Sequence, residues 1–342
     1  MSTNEQLENA IELKEVEGLS QGQIVRRRFF RHRGAIMGLF ILISITLLAA
    51  TSIGWGPIPG WWHLAPADRG PIINLRGGPT LQLFGEGGFI SLGEHPFGQD
   101  ELGRDIFART MKGVQTSLIV MVVVGLVAGL MGIVMGSLSG YFRGRIDTIL
   151  MRFTDLVITV PVIVIGAVLG KLLGAANPIP LAVALGLVSW TGLARLVRGD
   201  FLSLREREFV DAARVAGASH ARIIFKHMLP NAIGVIIVNT TLLMSSAILL
   251  ETALAYLGFG ITLPNISLGQ MINEYQGAFN TRPWLFWFPG MFIILIALSV
   301  NFIGDGLRDA FDPRQRRIPS VRKMKRAEAR AARAAAAEAA RS

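Results

Sequence analysis

An all-α integral membrane protein with six transmembrane helices is the fold this sequence predicts, on three observations. Of 342 residues, 51% are hydrophobic and 17% charged, against about 25% charged in typical soluble domains. Six stretches approach the roughly 20 mostly apolar residues that cross a hydrocarbon core about 30 Å thick: 34–53, 117–138, 156–173, 180–195, 232–252 and 285–304. Basic residues favour alternate connections between those stretches, as orientation in a membrane requires. The same composition excludes a disordered polyelectrolyte, a collagen-like fibre and a disulfide scaffold. With no cysteine, a thiolate metal site, an iron–sulfur cluster and a cysteine nucleophile are excluded as well.

The first stretch, 34–53, contains no charge and follows a largely polar 33-residue segment. It is too long for a signal-peptide core and lacks a small-residue cleavage site, so it reads as a retained helix. The second carries Gly125, Gly129, Gly132, Gly136 and Gly140. Small residues at such spacing let helix backbones approach closely in lipid, which reads first as bundle packing. The third and fourth are joined only by Gly174, Ala175, Ala176, Asn177 and Pro178, a tight-turn composition that makes a hairpin. Five spans instead of six follow if that hairpin is re-entrant. Trp61, Trp62, Trp284 and Trp287 fall near one predicted boundary and read as interfacial anchors.

Arg26, Arg27, Arg28, Arg31 and Arg33 precede the first span, which puts the N-terminus in the cytoplasm. Six crossings return the C-terminus there, where eleven Lys/Arg lie from residue 306 onward, and the 196–231 loop carries six. Outer loop 54–112 has five Lys/Arg against six acidic residues, and 253–284 has only Arg282. The net charge of +10 is therefore an orientation signal and not a nucleic-acid footprint. The expected organisation is a cytoplasmic segment 1–33, a first helix 34–53, an extracytoplasmic loop 54–112, a five-helix domain 113–312 and a basic cytoplasmic tail 313–342. Ala-rich residues 327–341 form a helical or disordered tail, solvated or drawn to anionic lipid.

Chemistry is sparse. Gly166-Ala-Val-Leu-Gly170-Lys171-Leu172 approaches a phosphate loop, but it is one residue short between the glycines. It also ends in Leu where Ser/Thr binds magnesium, and it lies inside a span. His32, His63, His95, His220 and His227 are scattered and read as ordinary surface or packing residues. Ionisable groups at mid-membrane, which an ion-coupled secondary transporter uses to hold its coupling ion, are nearly absent. Only Lys171 and Glu251 approach the spans, both near their outer ends; Glu251 either lines a translocation path or outer gate, or makes a structural hydrogen bond. The chain is expected to bind no cofactor or metal and to catalyse no covalent reaction. Any uphill transport must draw its free energy from another polypeptide.

The loop between the fourth and fifth spans is the richest segment. A helix is expected over about 204–216, ended by Gly217. Ser219 then caps a second helix that closes before Leu229 and Pro230. Such an amphipathic element suits docking into a groove of a partner.

Asp211-Ala212-Ala213, then Gly217, then a segment ending Leu229-Pro230 resembles the EAA loop of bacterial ABC importer permeases, with Asp in place of the usual Glu. Four further segments resemble the dipeptide/oligopeptide branch of that family, whose permeases are of the C type: His95–Asp105, Gly140–Asp155, Glu251–Gly260 and Asn301–Arg314. The resemblance covers about residues 20–318 and not the tail. It implies the ABC importer permease fold. It also implies a coupling helix at 208–222 that meets ATPases through Glu208, Asp211, Ala212, Ala213, Gly217, Ala218, Leu229 and Pro230. The implied partners are a homologous second permease subunit, two ATP-binding ABC subunits carrying ATP and Mg, an extracytoplasmic substrate-binding protein and membrane lipid, with no nucleic acid. The implied location is the bacterial inner membrane, and the implied cargo a dipeptide or oligopeptide, with nickel, glutathione or another small solute as alternatives. Within these segments Asp100–Asp105 is either a capped outer turn or a contact for the binding protein. Gly304-Asp305-Gly306 is a helix exit or an ATPase contact.

Overall fold

The computed structural model describes residues 20–85, 88–173 and 177–312; the tail 313–342, most of segment 1–33 and the hairpin turn at 174–176 lie outside them. Helix α1 spans Gln21–Phe29 and α2 spans Arg33–Ser52. A two-stranded antiparallel hairpin, β1 Gln82–Gly85 and β2 Gly88–Ser91, follows in the 54–105 loop. Next come α3 Ile106–Phe142, α4 Gly144–Thr159, α5 Val162–Leu173, α6 Pro178–Ser189, α7 Thr191–Arg205 and α8 Glu208–Val215. The chain then forms α9 His220–Tyr256, α10 Leu268–Tyr275 and α11 Trp284–Phe311.

Among the described residues four helices (α2, α3, α9 and α11) are long and apolar enough to cross a membrane, and the number reaches six if α4 with α5 and α6 with α7 each make one span. The all-α membrane fold class holds, with four to six candidate spans and two corrections. The expected straight span 156–173 is broken at Val160-Pro161, where the α4 and α5 axes bend by 77°. Proline has no N–H for the helical ladder and disfavours the helical conformation before it; in the last turn before the break Thr159 Oγ1 donates to the Leu156 carbonyl, 2.6 Å away. Likewise 180–195 bends by 44° at Trp190, which is buried with its indole N–H on the Leu187 carbonyl at 2.9 Å.

Helix α3 is the central strut. Its 37 residues give about 55 Å at 1.5 Å per residue, well beyond the predicted 117–138. Its glycines make the close approach to α7: a Cβ on Gly132 would meet the Leu193 side chain at 2.8 Å, one on Gly136 the Ala194 carbonyl at 2.5 Å, and one on Gly140 the Phe201 Cβ at 2.6 Å. Where lipid removes the hydrophobic drive between helices, such backbone proximity supplies the packing. On another face, Val122, Leu126, Leu130 and Val134 are exposed. Helix α2 lies along α11, and α10 tucks against α3, α9 and α11.

The two ends of the bundle are distinct. Arg28 Nη1 donates to the Asp312 carbonyl at 3.0 Å, His32 lies 3.3 Å from Asp309, and Gly234 of α9 abuts Phe311. The basic flank of α2, the start of α9 and the end of α11 therefore share one face. The 54–105 loop and α10 share the opposite one.

Candidate functional site at the α7–α9 loop

The segment 206–219 stands on a small apolar base. Tyr141 of α3, Leu193, Val197 and Phe201 of α7, Val210 of α8, and Ile223, Ile224 and Met228 of α9 are buried together, with Ala213, Ala218 and Leu229 packed against them. Fully burying each large member contributes about 1.5–3 kcal/mol relative to water.

On this base α8 runs over Glu208–Val215, shorter at its start than expected because α7 continues to Arg205. Glu208 and Asp211 sit in its first turn and Arg214 in its last, the charge order the helix dipole favours. Asp211 pairs with Arg214 at 2.8 Å. At the C-terminus the Gly217 N–H donates to the Arg214 carbonyl at 2.9 Å and the Ala218 N–H to the Ala213 carbonyl at 3.0 Å. This is the paired closure that needs a left-handed residue between, and Gly217 has φ +77°. A Cβ at Gly217 would meet nothing within 4 Å, so the constraint is one of backbone angle alone.

Ser219 then caps α9 by accepting from the Arg222 N–H at 3.4 Å. The expected stop before Leu229-Pro230 does not occur. A π-helical turn over Ile223–Met228, with the Leu229 N–H bonded five residues back to the Ile224 carbonyl, carries the helix through. Widening the ladder at this turn accommodates Pro230, and Asn231 Nδ2 bonds the His227 carbonyl at 2.6 Å. π-bulges of this kind concentrate at functional sites.

The site residues read from sequence divide clearly. Glu208, Asp211, Ala212, Gly217 and Pro230 are exposed, while Ala213, Ala218 and Leu229 are half-buried against the base. Beside them stand three exposed apolar residues that sequence reasoning did not single out: Val215 at 91%, Phe225 at 66% and Phe209 at 39% exposure. Their signal was available as hydrophobic residues within a charged loop. Glu251 is not part of this group; it lies about 33 Å along α9 from Leu229. It is fully buried, 3.5 Å from Ser117 Oγ, with Oε1 lacking a partner.

At the opposite face the His95–Asp105 segment folds into a polar cap. Asp105 caps α3 through the Ala108 N–H at 2.8 Å, and also holds His95 Nδ1 at 2.8 Å and the Trp62 indole at 3.0 Å. Asp100 accepts from the N–H groups of Leu102 and Arg104, both at 2.9 Å. It also accepts from the Tyr275 hydroxyl at 3.0 Å, and burial pushes that phenol's pKa far up, keeping it a donor. Glu274 joins Arg104 at 2.5 Å and Arg109 at 2.6 Å. Glu274 escaped the sequence reading; the clue was a single carboxylate in the 253–284 loop.

A family model for binding-protein-dependent transport system inner membrane components matches residues 132–317, and one for the N-terminal transmembrane domain of oligopeptide transport permease C matches 20–58. The oligopeptide transport system permease protein of Haemophilus influenzae is 35% identical over 312 residues, 91% of this chain and 94% of that protein. Its Escherichia coli counterpart is 37% identical over 313 residues, covering 92% and 98%. A putative peptide permease of Brucella ovis is 37% identical over 299 residues, covering 86% and 92%. A solved structure of the MetNI methionine ABC transporter in an inward-facing conformation superposes with TM-score 0.50 at 17% identity, over 60% of this chain and 96% of the matched one, which is a likeness of fold. With one family model spanning more than half of its length and relatives aligned nearly end to end, the chain belongs to the binding-protein-dependent transport system inner membrane component family.

Proposed function

We propose that this chain is the permease subunit of an ATP-driven importer of dipeptides or oligopeptides, and that segment 206–219 is where ATPase subunits grip it. The carrying observation is α8, which exposes its own Phe209 and Val215, with Phe225 of α9 exposed as well, and is seated on a buried apolar base. Large apolar side chains at the tip of a charged loop are what a groove on a partner takes up. Family membership and the names of the relatives support the substrate class.

In this reading two ATP-binding ABC subunits hold ATP and Mg. A homologous second permease completes the pathway, an extracytoplasmic substrate-binding protein delivers cargo, and lipid surrounds the bundle. Glu208, Asp211, Ala212 and Pro230 face the ATPases; Ala213, Gly217, Ala218 and Leu229 hold the shape that presents them. Closure of the ATPase dimer biases a two-state bundle between outward- and inward-facing forms. Glu251, beneath α10, belongs to the outer gate. The N- and C-termini are cytoplasmic.

Accessibility labelling tests the orientation, since the chain has no cysteine. Leu75→Cys and Val215→Cys place thiols at positions that are 90% and 91% exposed. An impermeant maleimide should label the first from outside intact cells and the second only after permeabilisation. The reverse pattern overturns the assignment of 206–219 to the ATPases. In vesicles holding both permeases, the ATPases and the binding protein, peptide uptake should require ATP; ATP-independent uptake by this chain alone would defeat the reading.

A further inference from the structure

Resting on the coupling role of 206–219, a second question is how a push on that loop reaches the bundle. Helix α8 touches its base through Val210 and Ala213, apolar contacts that are non-directional and resist sliding weakly. Directional contacts occur at the two ends of the loop: an exposed ion pair joins Glu206 to Arg143 at 2.6 Å, and a buried contact from each end converges on Tyr141, the penultimate residue of α3, which is 3% exposed.

On the entering side, Arg205 ends α7. Its Nη1 donates to the Tyr141 carbonyl at 2.7 Å, and its guanidinium lies over the Tyr141 ring, 6.0 Å from the centroid. On the leaving side, His220 begins α9. Its Nδ1 is hydrogen-bonded to the Tyr141 hydroxyl at 2.8 Å, and its ring stands edge-on to those of Tyr141 and Phe142, each at 5.6 Å. The far end of the same unbroken α3 is fixed in the outer cap by the Asp105 contacts and the Arg109–Glu274 pair.

We propose that Tyr141 is a positioning residue that fastens both ends of the coupling loop to α3, so that displacement of α8 moves α3 as a lever instead of flexing the loop. Two hydrogen-bonded anchors on one residue define an axis, which greasy contacts do not. The hydroxyl–imidazole bond is the separable part, because the Arg205 contact is to the backbone and survives substitution of the Tyr141 side chain.

The test uses the complete complex in vesicles and measures peptide transported per ATP hydrolysed. Tyr141→Phe keeps the ring and loses the hydroxyl. The ratio should fall about five-fold, the equilibrium factor one hydrogen bond is worth, with the yield of assembled complex unchanged. His220→Leu should match it, the double variant should be no worse than either single one, and His220→Gln should recover part of the loss. A ratio at wild type in Tyr141→Phe, additive losses in the double variant, or transport and hydrolysis falling together at constant ratio would each overturn the proposal. Gly217→Val separates the two readings. If it lowers the ratio while Tyr141→Phe does not, only the role of Tyr141 fails; if neither lowers it, the coupling role of the loop fails as well.

Discussion

The two ends of α3 are built on opposite principles. At the Ile106 end, charges are buried and paired: Asp100, Asp105 and Arg109 are each at most 2% exposed, and every one meets a partner from another segment. At the Phe142 end the arrangement inverts. Apolar side chains form the buried base, the acidic residues of α8 lie exposed, and Val215 projects almost wholly into solvent. A buried network of paired charges is costly to disturb and fixes one geometry, even with the Arg109 Nε in it left without a hydrogen-bond partner. A small exposed helix on a non-directional base is cheap to move and offers contacts to whatever docks. One end is built to hold; the other, on the function proposed above, is where the ATPases take hold.

That contrast breaks most visibly through Glu274. Glu274→Ala leaves Arg109 buried without its carboxylate, while Arg104 keeps Asp100. Because Glu274 is itself partly exposed, a loss of about 2 kcal/mol in cap stability is expected, measured as faster hydrogen exchange around 95–110 with α8 unchanged. No change would mean that this ion network is not holding the cap.

Gly217→Val comes next. Forcing a side-chain-bearing residue into the left-handed region costs roughly 1–2 kcal/mol, which should reduce transport at least five-fold while the bundle still inserts. Since a Cβ there has open space, Gly217→Asn should retain more activity than Gly217→Val, Asn tolerating positive φ. Equal activity of all three proteins would show that the closure of α8 is irrelevant to transport.

The smallest effect is expected at Asp211. Asp211→Lys loses an exposed pair with Arg214 worth under about 1 kcal/mol, so stability should hardly move. Transport and substrate-stimulated ATP hydrolysis should fall modestly, and added salt should blunt the difference as it screens exposed charge. A salt-independent loss would point to altered helix geometry in place of a reversed surface charge.

Much of this was legible in sequence because it is local. Four spans follow from hydropathy within about 20 residues. The end of α8 follows from Gly217, and the start of α9 from Ser219 three positions before its bonded N–H. The same local logic erred where a neighbour supplied what the segment lacked. Pro230 signalled a stop, yet the π turn and the Asn231 side chain let α9 pass through it. Pro161 lay inside a hydrophobic run whose composition gave no angle.

What only the tertiary structure decided are meetings between distant residues: Glu274 with Arg104 across 170 positions, Tyr141 with His220 across 79, and Ser117 with Glu251 across 134. Hydropathy and capping depend on groups a few residues apart, so one sequence window contains their cause. Which helix faces touch depends on the close approach at Gly132, Gly136 and Gly140 and on the bends at Pro161 and Trp190. Those set the rotation of whole helices, and a side chain finds its partner only after that rotation is fixed.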